Sequence, residues 1–250
     1  MTVRPAKCRT DQMLVERGLV ESRARAQALI MAGVVYSGER KIDKPGQLLA
    51  EDQPLDVRGR DHPWVSRGGL KLDHALAYFG WDITDSVVID VGASTGGFTD
   101  VALSRGAARV YAVDVGHGQL AWKLRQDPRV IVLEKLNARH LTTAEVPEPV
   151  DLVVCDASFI SLKTVLPASL ALTRPGARLA ALIKPQFEAG REAVGKGGVV
   201  RDPAVHAAVC AEVAAWLGAQ PGWHVLGVTP SPIEGPEGNK EFLIGAVRSG

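Results

Sequence analysis

The sequence is poor in the residues that staple, anchor or repeat. Its three cysteines, Cys8, Cys155 and Cys210, stand far apart, and none of its six histidines pairs with another at i, i+3 or i, i+4 spacing. A disulfide framework or zinc knuckle cannot assemble locally, so reduced thiols and no structural metal are expected. No apolar run approaches the ~18 residues of a membrane span; the longest clean stretch is LAALI, residues 179–183. The opening MTVRPAKCRTDQ lacks the apolar segment of a secretory leader, which makes the cytoplasm the expected compartment. Internal repeats and low-complexity tracts are missing as well.

What remains is the composition of a folding chain: 250 residues, 46% apolar and 23% charged. That length allows one large domain, or a small one plus a medium one. The net charge of +1 is unevenly spread, because residues 1–68 hold 12 Lys and Arg against 9 Asp and Glu. The mildly basic first quarter permits a polyanionic partner.

Two patterns divide the chain. Residues 11–57 show dense, short signals: helices over 12–17 and 23–31, a Gly-Leu-Val-Glu-Ser turn with Ser22 as N-cap, and Gly33 as terminator. A strand over 34–36, turns at Ser37-Gly38 and Lys44-Pro45-Gly46, and a strand over 54–57 complete a small α+β unit. Asp61-His62-Pro63-Trp64-Val65 reads as a linker. Beyond it, seven apolar segments predict strands at 87–93, 109–115, 130–136, 152–156, 178–183, 224–229 and 242–247. Helices near 96–105, 119–125 and 160–173 alternate with the first five, the rhythm of an α/β, doubly wound, mostly parallel sheet of Rossmann-like type. A helix over 203–217 precedes the last two strands; only the Gly/Pro-rich turn 231–239 separates these, so the last strand should be antiparallel.

Chemistry concentrates at the strand ends. Asp90-Val-Gly92-Ala93-Ser94-Thr95-Gly96-Gly97 closes a strand and opens a helix, where free N–H groups and glycines let a ligand approach the backbone. The spacing matches neither the dinucleotide fingerprint nor a P-loop, and the acid before Gly92 suits a ligand with a cationic amino-acid moiety; a tight strand-to-helix turn is the alternative. Asp114 ends the next strand, about 20 residues on, where an acid holds ribose hydroxyls. Asn137 reaches an adenine edge or caps a turn.

Lys71, Asp156, Lys184 and Glu241 sit at strand ends or at the domain entrance. Lys184 follows an apolar run, and partial desolvation favours an amine that accepts a proton. Each alone could be a solvated charge or a salt-bridge partner. Arg9, Arg23, Arg25, Lys41 and Lys44 give the small unit either a phosphate-tracking surface or a solvated basic face. Trp122, Trp216 and Trp223 read as core. The loop 190–199 reads as a cover for the cleft, with Lys196 as a phosphate contact.

Several of these segments resemble a known family. RTDQMLVERGLVESRARAQALIMAGVV with KPG downstream resembles the S-four (αL) RNA-binding domain. DVGASTGGFTD, AVDVGHGQL, DASFISL, IKPQFE and GPEGNKEFL resemble the TlyA family, whose catalytic half is an FtsJ-like, class I methyltransferase. The resemblance implies S-adenosyl-L-methionine as methyl donor and a ribose 2′-hydroxyl of ribosomal RNA, a cytidine in small or large subunits, as acceptor. It implies a Lys-Asp-Lys-Glu tetrad of Lys71, Asp156, Lys184 and Glu241, with Lys184 as base, Asp156 positioning it, Lys71 stabilising the alkoxide and Glu241 holding a lysine in register. It also implies a division into an S-four-like RNA-binding domain over 1–60, a linker over 61–67 and a methyltransferase domain over 68–250. Ribosomal RNA or ribosomal subunits would be the partner, with no membrane or protein partner. Family members carry the label hemolysin, so a membrane-lytic protein is one alternative, and a non-catalytic RNA-binding module is another.

Overall fold

A computed structural model describes residues 7–20, 22–58, 62–195, 197–235 and 238–250. Lys196, Asp61, Glu21 and both ends of the expected RNA-binding domain lie outside the described residues. The small unit runs β1 (Lys7–Arg9), α1 (Thr10–Glu16), α2 (Arg23–Met31), β2 (Val35–Ser37), β3 (Arg40–Lys41), β4 (Leu48–Ala50) and β5 (Asp56–Val57). Ser22 accepts a hydrogen bond from the Arg25 N–H at 3.2 Å, and Gly33, at φ +72°, ends α2. β2 pairs with β3 and β5, while β1 pairs with β4 in a ribbon the sequence did not signal. Met13, Leu14, Ala26, Ile30, Val35 and Ile42 fill its core.

The larger unit continues with α3 (Gly69–Tyr78), β6 (Val87–Val91), α4 (Gly97–Ser104), β7 (Arg109–Asp114), α5 (Trp122–Arg125), β8 (Val130–Glu134), β9 (Val150–Cys155) and α6 (Leu162–Ala171). It ends with β10 (Thr173–Ile183), α7 (Pro185–Glu188), α8 (Pro203–Gly218), β11 (Trp223–Pro230) and β12 (Phe242–Arg248). The seven strands lie in the order β11-β12-β10-β9-β6-β7-β8, and β12 is antiparallel to both its neighbours. This is the doubly wound, mostly parallel sheet with an antiparallel last strand that the sequence predicts. Val88, Ile89, Val153, Val154 and Ala180 are buried between two helical layers, which is why these strands read as continuous apolar runs. The expected helix after the second strand shrinks to α5, and a 3-10 turn over Ala138–His140 joins β8 towards β9.

This topology chooses the site. The chain leaves β6 towards β7 and β8, then crosses back to β9 and β10 on the other side, so the strand order reverses between β6 and β9. A crevice opens outside the carboxyl ends at such a point. Because β12 is antiparallel, with Phe242 opposite Ile183, its first residues reach the same edge. Helix α3, absent from the sequence reading, opens on Gly68-Gly69 without a side-chain cap and brings Lys71 to that edge.

From Trp64 onward the expected linker packs against the larger unit: Val65 is buried in its core, and its N–H donates to Asp100 Oδ2 at 2.8 Å. One expectation changes. Of the tryptophans, Trp223 is buried and Trp216 half-buried, but Trp122 is 64% exposed because α5 is a single turn that lays its ring outside the core. Among the described residues no helix is long and apolar enough to cross a membrane.

A Cβ at Gly245 in β12 would lie 2.5 Å from Cε2 of the Phe79 ring that follows α3 and collide with it. Gly245→Ala should therefore cost about 1–3 kcal/mol by urea unfolding, with Phe79→Leu recovering part of the loss. No loss from Gly245→Ala would contradict this packing.

Candidate active site

Four side chains from four separate elements meet at the crevice. Lys71, in the first turn of α3, places Nζ 2.6 Å from Glu241 Oε2 and 3.4 Å from Asp156 Oδ2. Lys184, immediately after β10, places Nζ 2.5 Å from Asp156 Oδ1. It also donates to Ser158 Oγ at 2.9 Å and to the Asp156 carbonyl at 3.3 Å. The charges alternate: Lys184, Asp156, Lys71, Glu241. Both lysines and Glu241 are buried, so each would pay several kcal/mol in desolvation without its opposite neighbour. Glu241 Oε1 accepts no hydrogen bond among the described residues and rests on Gly235, where a Cβ would collide with it.

Beside this chain runs the loop after β6. Gly92, Ala93, Ser94, Thr95 and Gly97 line a cleft of about 760 Å³ together with all four charged residues. Packing within the protein requires three glycines of this loop. A Cβ at Gly92 would lie 3.0 Å from Ala157 Cα, one at Gly97 would lie 2.9 Å from the Gly69 nitrogen, and one at Gly96 would strike Leu124. Gly92 and Gly96 also have φ of +82° and +95°.

Asp90 stands behind the loop instead of facing the cleft. It is fully buried, its Oδ2 accepts from Thr99 Oγ1 at 2.7 Å, and Oδ1 has no hydrogen-bond partner among the described residues. Burial, with the Asp156 and Asp114 carboxylates adding to it, pushes its carboxyl up to about 7.

Asp114 accepts from the N–H groups of Ser94, at 2.8 Å, and Gly116, at 2.7 Å. It borders an adjoining hollow of about 460 Å³ with Gln119, Asn137 and Phe159. Asn137 uses Oδ1 to cap the turn, accepting from the Arg139 N–H at 3.1 Å, and this leaves its amide nitrogen as a donor at the hollow. S-adenosylmethionine fits this donor set: each Asp114 oxygen keeps a lone pair for a ribose hydroxyl, and the two hollows have the size of a ligand site.

Ser158 and Phe159 lie within the segment DASFISL, but the sequence does not single them out as site residues. Ser158 is exposed and lines both hollows. Phe159, at φ +64°, is 89% exposed, with its ring 5.0 Å from that of Phe187. Their position just past a strand end was the available signal.

In the small unit, Arg9 and Arg23 converge on buried Asp11, at 2.9 and 3.0 Å. Arg9 with Gln27 and Arg23 holds the Asp11 carboxyl well below the usual range despite burial. Arg25, Lys41 and Lys44 are exposed. Among the described residues no group of three His, Cys, Asp or Glu side chains is placed to hold a metal ion.

Residues 64–248 match the family described as FtsJ-like methyltransferase. The chain is 48% identical, over 95% of its length and 89% of the relative's, to the 16S/23S rRNA (cytidine-2′-O)-methyltransferase TlyA of Mycobacterium tuberculosis. It is 37% identical, over 94% of its length and 98% of the relative's, to Hemolysin A of Brachyspira hyodysenteriae. A solved structure from Streptococcus thermophilus, described as a hemolysin, superposes with a TM-score of 0.77 at 43% identity, covering 99% of this chain and 90% of that one.

The buried Asp90 carboxyl gives a pH test. Its value in the fold, about 7 against 3.8, means that the native state retains a proton the unfolded chain releases, so its contribution to stability falls as pH rises from about 4 to about 7. Asp90→Asn has no proton to lose. Its stability relative to the wild type, by urea unfolding without cofactor, should rise by about 1–4 kcal/mol between about pH 5 and pH 8. An equal difference at both pH values would contradict the placement.

Proposed function

The chain belongs to the FtsJ-like methyltransferase family, and from that premise we propose that it methylates the ribose 2′-hydroxyl of a cytidine in ribosomal RNA, as its TlyA relative's name describes. The observation that carries this reading is the alternating chain of two buried lysines, buried Glu241 and half-buried Asp156 opening on a cleft of cofactor size.

S-adenosylmethionine, once bound, supplies a methyl group made electrophilic by positive sulfur. The loop over 92–97 and Asp114 would hold it, with Asn137 towards the adenine and Asp90 supporting the loop from behind. Lys184 takes the proton of the ribose hydroxyl, a poor nucleophile while that proton remains. Asp156 fixes Lys184 in place and shares its other oxygen with Lys71. Lys71, held by Glu241, places positive charge where the oxygen becomes negative. Phe159 offers an exposed aromatic face on which an unstacked base can rest.

Residues 1–60 supply RNA affinity in this account, 61–67 connect, and 68–250 carry the chemistry. Asp11 fixes two of the guanidinium groups, while Arg25, Lys41 and Lys44 extend the basic surface. Such contacts bind phosphates by releasing counterions and carry no base information. The substrate is ribosomal RNA presented in one or both subunits, and the cytoplasm is where the protein meets it. A membrane-lytic role would leave the tetrad without a use.

Transfer of labelled methyl to unmodified ribosomal subunits tests the reading. Lys184→Ala should lower turnover by about 10²- to 10⁴-fold while binding S-adenosylmethionine normally; unchanged turnover would remove Lys184 as the base. Arg25→Ala with Lys44→Ala should weaken RNA binding and reduce the slope of log affinity against log salt by about 1–2, leaving cofactor affinity unchanged. An unaltered slope would move the RNA surface elsewhere.

A further inference from the structure

The proposed base lines the cleft but shows it little surface. Lys184 is only 6% exposed, and three acceptor atoms already surround Nζ: Asp156 Oδ1, the Asp156 carbonyl and Ser158 Oγ. Two of these can only accept. A carboxylate or carbonyl oxygen facing the lone pair of a neutral amine would repel it, whereas a hydroxyl can turn and donate. Ser158 is also the partner that is exposed, and it lines both the tetrad cleft and the adjoining hollow. Ser158 Oγ, 2.9 Å from Nζ, is thus the exposed partner through which a hydroxyl in the cleft can reach Lys184.

We propose that Ser158 relays the proton from the ribose hydroxyl to Lys184. The inference rests on Lys184 being the base, as argued above. In the reacting state Lys184 is neutral and keeps an N–H on the Asp156 carbonyl beside Oδ1, and Ser158 donates its own proton to Nζ while accepting from the ribose hydroxyl. The ribose oxygen bonds to the methyl carbon as the carbon–sulfur electron pair returns to sulfur. The ribose O–H bond breaks, its proton forms a new O–H on Ser158, and the former Ser158 proton completes the Lys184 ammonium. One positive charge is lost at sulfur and one appears at Nζ. Asp156 lies beside that charge, and Lys71 and Glu241 complete the charged surroundings. Between turnovers Ser158 passes the proton on to cleft water.

The test compares Ser158→Ala, Ser158→Thr and Lys184→Ala in single-turnover methylation of unmodified ribosomal subunits. Ser158 is exposed, so there is room for the extra methyl of threonine. Alanine should lower the rate by about 10- to 100-fold and leave cofactor and subunit affinities within about twofold, while threonine should recover most of the rate. The rate should depend on deuterium fraction along a curve in the wild type and the threonine variant, where two protons move, and along a line in the alanine variant. An alanine variant within about twofold of wild type, beside an inactive Lys184→Ala, would overturn the relay and leave the base assignment standing. An active Lys184→Ala would overturn both, and a threonine variant no better than alanine would overturn the relay in favour of a packing role.

Discussion

The Asp156 carboxylate is shared between two buried ammonium groups, and the rest of the site is arranged around that sharing. Without it Lys71 and Lys184 would confront each other in a region of low dielectric, where like charges repel strongly. Glu241 brings the local charge to balance from the far side of Lys71. The carboxylate can do this because its backbone is fixed: the Asp156 N–H donates to the Val91 carbonyl at 3.0 Å, tying the end of β9 to the end of β6 at the point where the strand order reverses. The four members are separated by up to 170 positions in the sequence, so only the complete sheet assembles them.

The same economy of space shapes the cofactor side. Gly92, Gly96 and Gly97 are required because backbone and side chains crowd them from within, and the loop they form turns its other side to the cleft. Asp90 anchors Thr99 of α4 beneath the loop. The small unit shares a wall of the cleft through Val15, Glu16 and Val20, and Gly18, at φ +62°, abuts Ala121, where a Cβ would lie 3.2 Å from its Cα. The small unit expected to hold RNA therefore borders the cleft expected to hold the methyl donor.

Much of this was legible before the fold was seen. Seven apolar segments gave seven strands, and the missing helix between the last two gave the antiparallel β12, because strand direction follows from connection length. Lys71, Asp156, Lys184 and Glu241 stood out by position and meet in space. What escaped depends on tertiary packing. Helix α3 begins without a capping side chain, and the strands of the β1–β4 ribbon are three residues each, too short to show alternation. Asp90 lies in a parallel strand buried on both faces, so the sequence carried no phase by which to see that its carboxyl points away from the cleft. The exposure of Ser158, Phe159 and Trp122, and the engagement of Arg9 and Arg23 by Asp11, are set by neighbours distant in sequence or by helix length.

The most direct measurement is to incubate the protein and S-adenosylmethionine with unmodified ribosomal subunits, digest the RNA to nucleosides and identify the methylated product by mass spectrometry. The account predicts a methyl group on the ribose of cytidine and on no base. Methylation of a base, or of no nucleoside while the cofactor is demonstrably bound, would contradict it.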